Sequence, residues 1–262
     1  MKIITLIILS VKFLFSQINY YKQGIDNISF EDLKFYTDYK LNLKGISKFK
    51  VLFFKINKLN ENGVVSKTRE FKLILENDKF DCLYYLKDGK GKYEIVVFGN
   101  NNNGLNYAGL CYFYVESTEN LPDNLDLNIN EKILEFLNNS LGKTIGRGEC
   151  WDLAAEALDY YSADWKRPTE FGNLIAPEKV KILPGDIIQM FNLKFEYKNK
   201  IEYFGLPEHT AIVYKVLNNK KFIIAHQNVD GKRYVILSEI DFNNFKSGYF
   251  KFYRPIAGLI CK

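Results

Sequence analysis

From residue 29 to residue 115, apolar and polar positions alternate in short runs. Such a period of two is the mark of strands with one buried face. The runs are Ser29–Tyr36, Tyr39–Leu43, Phe49–Ile56, Arg69–Leu75, Phe80–Leu86, Lys92–Phe98 and Tyr107–Val115. Asn62-Gly63, Asp88-Gly89 and the Asn101–Gly104 stretch separate several of them and supply residues that tolerate positive φ. The pattern predicts an antiparallel β-sandwich over residues 18–118. Residues 116–127 then turn polar around Pro122 and read as a linker. A helical period follows: Ile133, Leu134, Leu137 and Leu141 form one stripe, with Asn130 placed to cap it and Gly142 to end it.

A second helical period starts at Cys150. Cys150, Ala154, Ala157, Leu158 and Tyr161 share a face, and three of these five are small, so the helix can lie close to a sheet. Further on, 209–214 and 222–228 read as the two strands of a hairpin, with Asn218-Asn219 as a two-residue turn. With residues 217 and 220 flanking that turn, His209 lies opposite Asn228 and Ala211 opposite His226, all four on one face. A three-residue turn would put His209 on the other face, so the arrangement depends on register.

Composition narrows the function classes. A chain of 262 residues with 47% apolar residues can bury a core. The formal net charge of +5 is mild, and Lys198, Lys200, Lys220 and Lys221 are scattered, which argues against a nucleic-acid groove. Lys2 followed by the apolar run from Ile3 to Val11, interrupted at Lys12, reads as a signal peptide over residues 1–17. The expected location is therefore secreted, periplasmic or cell envelope, with no membrane span after removal of the signal. The four cysteines, Cys82, Cys111, Cys150 and Cys261, show no C-x-x-C pair or zinc spacing, and no cofactor or metal is expected. In an exported protein Cys82 and Cys111 are either a disulfide or two buried thiols.

The candidate chemistry sits at Gly146-Arg147-Gly148-Glu149-Cys150-Trp151. A cysteine at a helix N-terminus is favoured as thiolate, and the free N–H groups there can hold an oxyanion. A small cysteine packed like alanine is the structural alternative. The chain has two histidines, His209 and His226, and both fall in the predicted hairpin. A hydrolytic cysteine needs a base and a polar group to orient that base. Glu149, Asp152, Glu208, Trp151 and Trp165 read as ordinary surface or core residues.

Gly148-Glu149-Cys150-Trp151, Pro184-Gly185-Asp186, His209-Thr210-Ala211-Ile212-Val213 and His226-Gln227-Asn228 resemble, in order, the motifs of the NlpC and CHAP group of papain-like cysteine peptidases and amidases. Asp88 to Tyr93 resembles the tyrosine corner of immunoglobulin-like domains. Together the resemblances imply an α+β fold: an immunoglobulin-like sandwich, then a papain-like domain over residues 128–262 with a catalytic helix on an antiparallel sheet. They imply Cys150 as nucleophile, His209 as base, and His226 or Asn228 as the orienting group. CHAP domains carry a glutamate where His226 stands, and NlpC domains often use a histidine as third residue, so both candidates stay open. Residues 192–207 look like an insertion before the base strand. The expectation is an exported hydrolase acting on a peptide or peptidoglycan-like substrate. The alternative is a binding or structural protein that retains the fold.

Overall fold

The computed structural model describes residues 19–21, 28–30, 40–47, 49–89, 91–101, 104–115 and 127–261. The expected signal peptide at 1–17 and the linker at 116–126 lie outside them. The chain divides into two compact units. One comprises residues 1–126 with 258–262, and the other comprises residues 127–257.

The first unit contains β1 (Asn19–Tyr21), β2 (Ile28–Phe30), β3 (Lys40–Ser47), β4 (Val51–Leu59), β5 (Val65–Ile74), β6 (Lys79–Tyr85), β7 (Gly91–Asn101) and β8 (Gly104–Val115). Two antiparallel sheets form, ordered β1-β8-β7-β4-β5 and, with the late strand β15 (Leu259–Cys261), β15-β6-β3-β2. The period of two is visible in the burial. Leu52, Phe54 and Ile56 of β4, Tyr93, Ile95 and Val97 of β7, and Phe80, Cys82 and Tyr84 of β6 share one core. The Tyr93 hydroxyl donates to the Gly89 carbonyl, four residues upstream. Asp88, beside it, is ion-paired with Arg69 and Lys67.

The second unit contains helices α1 (Asn130–Ser140) and α2 (Cys150–Tyr160), then β9 (Asn173–Ile175), β10 (Ile187–Tyr197), β11 (Lys200–Asn218), β12 (Lys221–His226), β13 (Ile236–Asp241) and β14 (Phe245–Arg254). Strand β15 (Leu259–Cys261) returns to the first unit and pairs with β6. The second unit's six strands form one antiparallel sheet, ordered β13-β12-β11-β10-β14-β9. Ile188, Met190, Ala211, Val213, Ile224 and Phe252 belong to one of its cores. Neighbours of opposite parity, Ile187, Ile212 and Ala225, are also fully buried, and so is the α2 row Leu153, Ala154, Ala157 and Leu158. Burial on both faces explains why the centres of β10 and β11 read as continuous apolar runs.

The α+β expectation is corrected. Among the described residues the molecule is dominated by strand, with fifteen strands against two α-helices of 11 residues each. One reason is local. The stretch 192–207, read as an insertion, is the twisted continuation of β10 and β11, which pair out to Tyr197 and Lys200. Asn130 does not cap α1. It is the first helical residue, and its amide group donates to the Pro184 carbonyl and Asp186. Cys82 is bonded to Cys261, not to Cys111. The two are directly opposed in β6 and β15, a pairing invisible while Cys261 read as a loose end. Among the described residues no helix is long and apolar enough to cross a membrane.

Candidate functional site

Helix α2 starts at Cys150 because the residues before it are tied down. Gly146 and Gly148 have φ of +58° and +82°. A side chain at Gly146 would bring its Cβ within 2.8 Å of the Asp152 Cβ. Asp152, buried at the third helical position, accepts from the Arg147 amide at 2.7 Å and the Glu149 amide at 3.3 Å, and pairs with the Arg147 guanidinium at 2.9 Å. Burial acts to raise its carboxyl, but the Arg147 guanidinium and the two amides together hold it below the usual range. The glycines therefore close a tight turn against a carboxylate.

Gln227 was not singled out from the sequence, yet it fixes this turn from the other side. It is fully buried. Its Nε2 donates to the carbonyls of Ile145 and Glu149, each at 2.8 Å, and its Oε1 accepts from the Ile145 amide at 3.2 Å. Its neighbour Asn228 leaves the strand with φ of +62° and donates to Glu149 Oε2 at 2.6 Å, while Arg233 ion-pairs with Glu149 Oε1. Asn228 therefore holds the residue before the cysteine and is not a partner of His209.

His209 pairs across to Met190 of β10. Its Nε2 lies 2.9 Å from His226 Nδ1, and His226 Nε2 lies 2.8 Å from the Ser238 hydroxyl of β13. The two rings meet edge to face at 5.2 Å, with Phe204 packed on His226. This pairing arises by a different route from the predicted turn. Asn218 pairs with Lys221, so the turn is Asn219-Lys220, and two register shifts in β11 then bring Ile212 opposite Ala225. These shifts restore the facing that an Asn218-Asn219 turn would have produced.

Cys150 is partly exposed and is not in a disulfide. The backbone amides of Thr210 and Trp151 act to lower its pKa. Burial nonetheless pushes the thiol above its ordinary value, over the pull of those two amides, and the carboxylates of Glu149 and Glu208 push the same way. Burial, and then His226, push His209 down to about 3. Burial pushes His226 down to about 4. Burial thus opposes charge on all three groups. Beside them, the Thr210 hydroxyl donates to Gln189 Oε1 at 2.6 Å. Among the described residues no group of three or more His, Cys, Asp or Glu could hold a metal ion.

The Pro184-Gly185-Asp186 motif lies away from this chemistry. Asp186 is fully buried and accepts from Asn130 at 2.8 Å, from the Leu183 amide at 2.8 Å, and from Arg254 at 2.8 and 3.1 Å. It joins α1, the entry to β10 and the end of β14.

Comparison with known proteins places the chain further. The family profile for the AIM3/BBC1 cysteine proteinase-fold domain matches residues 123–260. The protein named altered inheritance of mitochondria protein 3, from the yeast Debaryomyces hansenii, is 30% identical over 146 residues. That stretch is 48% of this chain and 16% of the relative, so the chain spans only a small part of the relative's length. No solved structure matches the chain. These findings bear out a papain-like cysteine-proteinase fold, without the NlpC or CHAP assignment. They overturn the reading of an exported hydrolase acting on cell-wall peptide, and with it the secreted or periplasmic location. The relative is a yeast protein named for the inheritance of mitochondria, an intracellular process. The match at 123–260 covers more than half of the sequence, and the chain belongs to the AIM3/BBC1 cysteine proteinase-fold domain family.

Proposed function

We propose that this protein is a binding or structural protein whose 127–257 unit retains the cysteine-proteinase fold without cleaving a peptide or amide bond. The observation that carries this reading is the enclosure of the site: His209 and His226 are buried, and His209 Nε2 is taken up by His226 Nδ1 at 2.9 Å. A hydrolytic cysteine attacks as thiolate, with an imidazolium ready to protonate the leaving amine. Here burial raises the Cys150 thiol and lowers His209, and both shifts oppose a thiolate–imidazolium pair. His209, His226 and Ser238 form a neutral chain in which each ring needs one donor and one acceptor. In this reading Cys150, His209 and His226 pack and orient the core, and Asn228 braces the turn before α2. The relative's name points to inheritance of mitochondria as the cellular process in which a polypeptide partner is to be sought.

The test is alkylation of Cys150 by iodoacetamide from pH 5 to pH 9, run beside a digest of a broad peptide library read by mass spectrometry. The expected rate climbs only at the alkaline end, and the wild type cleaves no more than Cys150→Ala. Fast labelling of Cys150 at pH 6, together with cleavage that needs both Cys150 and His209, would overturn the proposal.

A further inference from the structure

The disulfide between Cys82 and Cys261 has no part in the site around Cys150, and its position in the first unit has a consequence of its own. Strand β15 is three residues long and lies at the edge of its sheet, where β6 is its neighbour. Its pairs are Leu259 with Tyr84, Ile260 with Leu83, and Cys261 with Cys82. Of these three residues only Leu259 enters the core, at 3% exposure, whereas Cys261 is exposed and Ile260 is partly so. Strand β6, by contrast, is held along its other edge by seven pairs with β3, and Phe80, Cys82 and Tyr84 fill the core. Removing β15 therefore leaves β6 anchored, while β15 without its covalent bond keeps one short ladder and one buried leucine. Isolated contacts on that scale open readily.

We propose that the Cys82–Cys261 bond is a redox-sensitive lock on β15, closed when oxidised and opening the edge of β6 when reduced. The co-reactant is a dithiol. One of its thiolates attacks the exposed sulfur of Cys261, the S–S bond breaks, and Cys82 leaves as a thiolate and takes up a proton. The reductant's second thiol then displaces Cys261 from the mixed disulfide. The protein gains two electrons and two protons, and the dithiol becomes a disulfide. The released segment is the one by which the chain re-enters the first unit after residue 257. Reduction thus releases β15 without touching Cys150.

Hydrogen exchange on the full chain tests this directly. Thiol alkylation and mass measurement first establish the oxidised and the dithiothreitol-reduced states. On reduction the β15 amides that donate to β6, and whichever of the Leu83 and Tyr84 amides faces β15, should exchange at least tenfold faster, and oxidised glutathione should restore protection. The amides of Leu52–Ile56 should not change. The double variant Cys82→Ser/Cys261→Ser should behave as the reduced form under all conditions. Unchanged exchange in verified reduced protein would show that no lock exists. Loss of protection throughout β4 and β7 would make the bond a staple for the whole unit and overturn the switch. Free alkylation of Cys82 and Cys261 in unreduced protein would also overturn it.

Discussion

Lowering the pH should destabilise the 127–257 unit well before its carboxylates titrate. His209 and His226 are 6% and 0% exposed, and burial holds them neutral down to about pH 3 and pH 4. In the unfolded chain each binds a proton near pH 6.5. Their folded values are depressed, so the neutral pair's stability is present above pH 6.5. It is lost as the pH falls towards the folded values, because only the unfolded state takes up protons. Each imidazole then costs about 1.4 kcal/mol per pH unit. Between pH 6 and pH 4.5 the two together should remove about 3.5 kcal/mol, a large share of a typical total of about 5–15 kcal/mol. Unperturbed carboxylates titrate mostly below this window. Trp151 and Trp165 both lie in this unit, so urea unfolding followed by tryptophan fluorescence reports on it alone. The comparison is with His209→Gln/His226→Gln, whose stability should be nearly flat over the same range. A flat wild-type profile, or an equal loss in the double variant, would refute a buried neutral pair.

Two further outcomes are expected. Asp186→Ala leaves the Arg254 guanidinium without its buried partner and should cost about 3–5 kcal/mol in urea unfolding. A loss under 1 kcal/mol would mean that water replaces the carboxylate. A fragment of residues 127–257 contains its own helices and complete six-stranded sheet, and should fold by itself with a single cooperative melt by circular dichroism. An aggregated or non-cooperative product would show that this unit needs the first one to complete its core.

What could be seen in the sequence was what repeats locally. The period of two in β4, β6 and β7 is enforced residue by residue, because each side chain either meets the shared core or faces away. The start of α2 was equally visible, since glycines, an acidic residue and an apolar face stand together at 146–158. The misses are of another kind. The length of β10 and β11 escaped because 192–207 has no counterpart in the motifs that carry the resemblance, and Lys194, Glu196, Lys200 and Glu202 break the apolar runs there. The Cys82–Cys261 bond joins residues 179 apart, which no local pattern can announce.

The charge state of the site was hidden for a related reason. Position at a helix N-terminus argues for a thiolate at Cys150, but a helix end contributes about 0.5 of an elementary charge within one turn. Burial of the sulfur, with Glu149 and Glu208 nearby, opposes it and prevails. Burial depends on how the packed elements enclose the group, which no local sequence pattern shows. The same enclosure removes the charge from His209 and His226. A motif in the right order therefore fixes where Cys150 and the histidines lie along the fold, while the packing around them decides whether they can ionise. In this chain the motif residues persist where burial opposes charge on all three.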